Sequence, residues 1–406
     1  MQAGATGILY NRTLSADQIG RLSKKAWLIE VPDTTVAMRA IAAAWRREFR
    51  IPVVGIGGSA GKTTTKELLA SILRGKFKQI LKTQGSQNGF LGIPMTLMEL
   101  SPDHGVAVIE IGIDEIGAMK QHVGLVAPDF SVLTSIGPEH LEKLVDVPTV
   151  AREEGILLQE TLGNGGSVCV SLDDSWIAGL KLPAHRRRMH FTLLPESDSA
   201  IECIRGSWNA DLGEMEISGL GEMFVLRCPL EGRHNASNLL AAVSVALLLG
   251  LTADEITAGL QTFHAAAGRS ELKQLPNGTR VLCDYYNANP SSMVAAFELI
   301  SAKTGGALIA CLGDMLELGT QEESFHRGLA ESLIANKFSN ILLFGPKMKW
   351  LEDEFKKRKF TGECHWFENK SDLSAHLKKT TQPGDRVLIK GSRGMRMEEV
   401  WESVFK

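Results

Sequence analysis

The residue types that could do chemistry gather first at Gly58-Ser59-Ala60-Gly61-Lys62-Thr63-Thr64. A β-branched run over 53–57 feeds this glycine-rich turn. The turn opens a helical pattern in which Leu68, Leu69, Ile72 and Leu73 share one face. The backbone N–H groups of such a turn and the N-terminus of the helix converge on one spot, which favours an anionic phosphate. Lys62 supplies a point charge for the terminal phosphates, and the Thr63 hydroxyl is placed to ligate the Mg²⁺ that travels with them. The spacing is shorter than the general G-x-x-x-x-G-K-[ST], which needs glycine at 56, where Ile56 stands. The expected chemistry is a grip on ATP or GTP by Gly58, Ser59, Gly61, Lys62, Thr63 and Thr64.

Carboxylate, imidazole and amide candidates follow where short apolar runs end or a helix begins. Glu110 closes Ala107-Val108-Ile109-Glu110, from where a carboxylate can reach a phosphate-bound Mg²⁺ directly or through water. His140 comes just after Leu133-Thr134-Ser135-Ile136-Gly137-Pro138. A lone histidine is more often a surface or core residue than a ligand, and only its context raises it. Asn235 and Asn238 lie one turn apart at the start of an alanine-rich helix over 232–250, stopped by Gly250. They either cap that helix or meet a base edge.

Such groups are positioned best by parallel strands, whose ligands lie beyond their carboxyl ends. Apolar runs at 53–57, 106–111, 131–134 and 167–171, with helical stretches between several of them, predict a mostly parallel sheet with helices on both faces. Thr252-Ala253-Asp254-Glu255 reads as a capping box that starts a further helix. From 265 the pattern repeats, with strands at 281–284, 307–312, 341–344 and 387–389 and helices at 291–302, 321–335, 371–380 and 397–405. This second unit is dinucleotide-fold-like but has no phosphate loop. Ahead of both, residues 3–10 read as a helix end and turn followed by a strand, 27–31 as a strand and 34–49 as a helix. The expected fold class is α/β in three domains: 1–45, a P-loop domain over 46–264, and a Rossmann-like domain over 265–406.

Bulk properties narrow the partners. The 406 residues, 44% hydrophobic and 22% charged, suffice for two or three domains with substantial cores. A net charge of -3 argues against general nucleic-acid binding, which demands a basic face. Arg186-Arg187-Arg188 reads as a solvated loop. Six cysteines show no C-x-x-C, and Cys169, Cys203, Cys283 and Cys311 sit in apolar runs, as buried small hydrophobes in a reducing compartment do. Without eighteen consecutive apolar residues or a signal peptide, the expectation is a cytoplasmic chain with no membrane partner.

Taken together, these residues resemble the Mur ligases, and within them the MurF branch. The likeness runs over nearly the whole chain. It is most specific at 58–67, 83–94, 108–112, 136–142 and 232–238, and at Asp284-Tyr285-Tyr286-Asn287-Ala288-Asn289-Pro290-Ser291-Ser292-Met293. Leu312-Gly313-Asp314-Met315-Leu316-Glu317-Leu318-Gly319 and Lys390-Gly391-Ser392-Arg393 with Met397-Glu398 complete it. The resemblance implies an ATP-dependent ligase that phosphorylates a substrate carboxylate, after which an amine displaces phosphate from the acyl phosphate. In that branch the acid is a UDP-N-acetylmuramoyl-tripeptide and the amine D-alanyl-D-alanine, for peptidoglycan precursors. It also implies that Lys62, Glu110 and His140 are catalytic, that Thr63 and Glu110 hold one Mg²⁺, and that His140 helps hold a second. Asn235 and Asn238 would lie on the adenine side. Arg269 would reach the phosphates and Asp284 the ribose from the C-terminal domain, so the site is complete only when the domains close. A monomer is expected.

The departures from the family pattern bear on the substrate. Gly57 and Ala60 stand for a threonine and an asparagine of the phosphate loop, and Ser86 and Gly89 for two further asparagines. Ile111-Gly112-Ile113-Asp114 replaces Met-Gly-Ala-Asn. Glu154 stands where relatives carry a lysine whose carbamate ligates the second Mg²⁺. Its carboxyl carbon lies roughly 3–4 Å nearer the backbone, so a water-mediated contact is expected, the bland alternative being a solvated helix carboxylate. The resemblance further marks residues 1–45 as a truncated UDP-substrate domain, expected to bind a uridine nucleotide weakly. Two other readings stand beside the first. One is a ligase of the same chemistry with another acid and amine; the other is a non-catalytic nucleotide-binding relic, against which the joint presence of Lys62, Thr63, Glu110 and His140 argues.

Overall fold

The computed structural model describes residues 4–183, 187–194 and 203–406. At the amino end, β1 (Gly7–Tyr10) pairs in parallel with β2 (Trp27–Glu30). The helix Ala16–Leu22 between them opens on a capping box of Ser15 and Gln18. Asp33 caps the next helix, Thr34–Arg47, accepting the N–H groups of Thr35 and Val36 at 2.7 and 2.9 Å. Arg46, near the end of that helix, is buried and donates to the Val126 carbonyl at 3.1 Å, which ties this small unit to the next. Residues 4–6 carry no helix, so the expected helix end is not found there, and Ala3 lies outside the described residues.

The central unit is one nine-stranded sheet. In chain order its strands are β3 (Val53–Gly57), β4 (Ile80–Lys82), β5 (Val106–Glu110), β6 (Phe130–Leu133), β7 (Ser167–Ser171), β8 (Arg188–Thr192), β9 (Cys203–Asn209), β10 (Glu214–Gly219) and β11 (Glu222–Arg227). They lie in the order β11-β10-β9-β8-β7-β6-β3-β5-β4. From β4 to β9 every neighbour is parallel, while β10 and β11 turn back antiparallel. The central strands are buried along their whole length, β3 and β5 at every residue, because helices cover both faces. On one face Leu68, Leu69 and Ile72 of helix Lys62–Leu73 pack with Leu239 and Leu240 of helix Arg233–Leu248. On the other, Leu133 and Ile109 meet Leu157 and Leu158 of helix Val147–Gly163.

The antiparallel wing was not expected, nor was β8. Arg188 begins β8, which corrects the solvated-loop reading for it; Arg187 is an exposed turn residue that donates to the Gly165 carbonyl, and Arg186 lies outside the described residues.

The carboxyl-terminal sheet has six strands: β12 (Glu271–Gln274), β13 (Arg280–Asp284), β14 (Leu308–Gly313), β15 (Asn340–Phe344), β16 (Glu363–Phe367) and β17 (Arg386–Lys390). Their order is β12-β13-β17-β14-β15-β16, parallel except for the edge strand β12. Asp284, Lys390 and the turn after Gly313 therefore stand together at the carboxyl ends, where α/β sheets bind ligands. Phe325 packs against the cores of both the central and this sheet and bridges them. Cys169, Cys203, Cys283 and Cys311 are buried, as the apolar runs around them imply.

Candidate functional site

The loop after β3 is held open by its own backbone. Gly61 is the N-cap of helix Lys62–Leu73 at φ 88, with no side-chain cap, so the first N–H groups of the helix remain available to a ligand. A Cβ on Gly61 would lie 2.3 Å from Asn238 Oδ1, and one on Gly58 (φ 119) 2.4 Å from Thr134 Oγ1. Neighbouring strand ends brace the loop. Ser59 N–H donates to the Ser135 carbonyl at 2.7 Å, and Gly137 N–H to Ser59 Oγ at 2.9 Å.

Around this loop the charges interlock. Thr63 donates to Glu110 Oε2 and Asn88 Nδ2 to Glu110 Oε1, each at 2.8 Å. Lys66 has no exposed surface. Its ammonium donates to the carbonyls of Thr83 and Gly85 at 2.8 and 2.9 Å and pairs with Glu67 at 3.2 Å and Glu110 at 3.5 Å. Lys62 donates to the Gly58 carbonyl and lies 3.5 Å from Glu139 Oε2. Burial pulls the Lys62 ammonium down, but Glu139, Glu154 and Glu110 outweigh it and hold the group above its ordinary value.

Glu154 is fully buried behind the loop, where its Oε2 accepts Gly58 N–H at 2.8 Å. That corrects the solvated-carboxylate alternative, since helix Val147–Gly163 turns this residue inward. Burial, and then the like charge of Glu139, push its carboxyl up to about 8 against the pull of Lys62 and the Gly58 N–H. Glu139 and Glu154 each leave a buried Oε1 without a partner, and a proton on Glu154 lets its carboxyl donate to Glu139.

The amide pair and the C-terminal residues close the far side. Neither asparagine caps helix Arg233–Leu248, whose N-cap is Gly232. Asn235 donates to the Glu231 carbonyl at 2.8 Å, and Asn238 abuts Gly61. Arg269 donates to Ser86 Oγ at 3.0 Å with its guanidinium 3.9 Å above the Tyr286 ring. Asp284 accepts Ser270 N–H at 2.8 Å and pairs with buried Lys390. His140 Nδ1 meets Glu317 Oε2 at 2.5 Å. One cavity of about 440 Å³ is lined by Ser59, Gly61, Lys62, Thr63, Thr64, Glu110, His140, Asn235, Asn238, Arg269 and Asp284. The structure thus brings nearly all the sequence-derived candidates to one place, with Gly58 at the loop's root and Glu154 behind it.

Residues 56–246 match the Mur ligase middle domain and 268–393 the Mur ligase glutamate ligase domain. The UDP-N-acetylmuramoyl-tripeptide--D-alanyl-D-alanine ligase of Escherichia coli (strain K12) is 31% identical over 400 residues, 98% of this chain and 84% of that protein. This chain belongs to the Mur ligase family. The Bacillus subtilis (strain 168) enzyme of the same name is 27% identical over 404 residues, again 98% of this chain and 84% of that one. MurF from Acinetobacter baumannii superposes with a TM-score of 0.86 at 24% identity, covering 99% of this chain and 91% of its own. The Thermotoga maritima MurF ligase in complex with ADP gives 0.82 at 22%, covering 98% and 94%. These two structures establish the three-domain α/β fold. As a Mur ligase, the protein is an ATP-dependent ligase. Among its described residues no helix is long and apolar enough to cross a membrane.

Two residues of this charge network escaped the sequence reading, Lys66 and Glu139. The available signal for Lys66 was a lysine one turn before Leu69 and two before Leu73, on the apolar face of its helix, a place where an unpaired charge is not tolerated. The structure also explains one departure: a Cβ on Gly57 would lie 2.6 Å from Glu154 Oε2, so the carboxylate occupies the space of a side chain at 57. Gly61→Ala is expected to weaken ADP binding at least about tenfold, because a left-handed residue with a side chain costs about 1–2 kcal/mol before the clash with Asn238 is counted. Titration calorimetry checks this, and wild-type affinity would remove the loop from nucleotide binding.

Proposed function

We propose that this Mur ligase joins D-alanyl-D-alanine to a UDP-N-acetylmuramoyl-tripeptide with release of ADP and phosphate, in the making of peptidoglycan precursors. The observation that carries the reading is the cavity itself. The phosphate loop and the 284–293 stretch of the C-terminal sheet face each other across it, and Asn289 Nδ2 reaches the Ser59 carbonyl at 3.5 Å. The names of the curated relatives, at 27 and 31% identity over nearly the whole chain, support the same acid and amine.

The residues also fit Mg²⁺. Thr63 and Glu110 offer hard oxygen donors beside a cradle that only glycine can line, and phosphate oxygens and water would complete the shell. Bound with the nucleotide, Mg²⁺ supplies neutralisation of the charge on the transferring phosphoryl group. Thr63 and Glu110 would hold it, and Lys66 and Asn88 fix the Glu110 carboxylate in place. Lys62, kept charged by its acidic neighbours, takes up the charge on the terminal phosphate, and the loop N–H groups orient it. The substrate carboxylate then receives the phosphoryl group, and the amine displaces phosphate from the acyl phosphate. Arg269 on Ser86 and Asn289 on Ser59 hold the domains together, which keeps water from the acyl phosphate.

One feature favours a second reading with a different acid. Asp114 puts a carboxylate where the family pattern has a neutral asparagine, and it and the adjacent Glu115 both pair with Lys143. The expected result is that ADP and phosphate form only when an acidic muramoyl peptide and a dipeptide amine are both present, read by coupled ADP release and phosphate assay. Formation of AMP and pyrophosphate would overturn the ligase chemistry. Turnover only with a non-muramoyl acid would select the second reading.

A further inference from the structure

Glu317 belongs to the C-terminal sheet's turn after β14, yet its carboxylate meets His140 of the central unit at 2.5 Å. Both residues hold left-handed backbone, His140 at φ 47 and Glu317 at φ 63, a conformation that side-chain-bearing residues keep only when their surroundings impose it.

The surroundings of Glu317 do impose it. Met315 N–H donates to His326 Nε2 at 3.0 Å and Leu316 N–H to Ser392 Oγ at 2.9 Å. The buried Asp314 carboxylate accepts Met348 N–H at 2.9 Å. A Cβ on Gly319 would lie 3.0 Å from the Leu141 carbonyl, so the turn sits directly on the backbone that follows His140. Phe325 then fastens the two cores together beside it.

A half-exposed ion pair adds little stability. What this one supplies is orientation. An ionised carboxylate only accepts hydrogen bonds, so the His140 nitrogen facing it, Nδ1, carries a proton, and in the neutral ring the lone pair is left on Nε2. We propose that Glu317 is a positioning residue, through which the docked C-terminal domain fixes the tautomer and the angle of His140 at the wall of the cavity. The idea rests on the reading of His140 as a residue of the reaction.

The test uses the full chain labelled with ¹⁵N in its histidine rings, the His140 signals being assigned by their loss in His140→Ala. Above neutral pH and without ligands, wild type is expected to show the Nδ1–H tautomer. Glu317→Gln keeps an amide oxygen as acceptor and should retain that tautomer. Glu317→Ala should move the two nitrogen shifts towards each other as the tautomers mix, and lower kcat about 10- to 100-fold with little change in KM for the amine. Wild-type shifts in Glu317→Ala overturn the proposal, and so does a mixed tautomer with wild-type kcat. If His140→Ala itself turns over normally, it is the reading of His140 that falls.

Discussion

Lys62→Ala is expected to lower turnover by roughly three to five orders of magnitude, the loss that follows when the charge clamping a transferring phosphoryl group is removed. Among the described residues no neighbouring cation is free to replace it. Lys66 is spent on Glu110 and two carbonyls, Lys390 on Asp284, and Arg269 on Ser86 and the Tyr286 ring. The ammonium also offsets Glu139 and Glu154 behind the loop, so the alanine variant leaves two buried acids with less to neutralise them. Lys62→Met, which keeps the apolar stem, separates the two effects. It should fold near wild type at slightly acid pH, where Glu154 already holds a proton, and still fail to release ADP. Quench-flow measurement of the first turnover reads this, and a loss smaller than about tenfold in both variants would remove Lys62 from phosphoryl transfer.

The parts of this site visible in the sequence are those set by local rules. The β-branched run, the two glycines and the Lys-Thr pair announce β3 and the phosphate loop because turn geometry and helix N-termini act within a few residues. Full burial also made β5, β6 and β7 legible as apolar runs. The antiparallel wing was harder, since β10 alternates buried Met215 and Ile217 with exposed or half-buried Glu214, Glu216 and Ser218, and such short alternation carries a weak signal. The edge strand β16, half exposed along its length, was missed for a related reason, whereas helix Met348–Lys357 was overlooked although Met348, Leu351 and Phe355 recur at helical spacing. What no local pattern contains is the fate of buried charge. Glu154 meets Gly58, which lies 96 residues before it, and Lys66 finds its partners on β5 and on the turn after β4. Which face of a helix turns towards such partners is decided by tertiary packing, so a glutamate legible as a substitution could still be misread as solvated.

Glu154→Gln is expected to raise stability at pH 8 by a few kcal/mol and to flatten its pH dependence, an effect that follows from the sign of the shift. The folded carboxyl titrates at about 8, against an ordinary value of 4.5. Below the ordinary value both states hold the proton and nothing is gained or lost. Between the two values the folded chain keeps a proton that the unfolded chain has released, so stability falls as pH rises, by at most about 1.4 kcal/mol per pH unit. Above the folded value the penalty is complete and constant. Glutamine is neutral throughout, its oxygen can accept Gly58 N–H, and its amide can donate to Glu139, so it keeps the packing and removes the slope. Urea unfolding across this range, without nucleotide or divalent cation, should show the two chains converging in acid and separating towards pH 8; parallel curves would mean that Glu154 is ionised in the folded chain. The same carboxyl is already part of the chain and needs no carbon dioxide to form, so turnover should be indifferent to added bicarbonate. Glu154→Ala, by contrast, leaves Gly58 N–H and Glu139 without their partner and should raise the Mg²⁺ needed for half-maximal turnover. If the Mg²⁺ dependence of that variant matches wild type, Glu154 shapes the phosphate loop alone and takes no part in holding the metal.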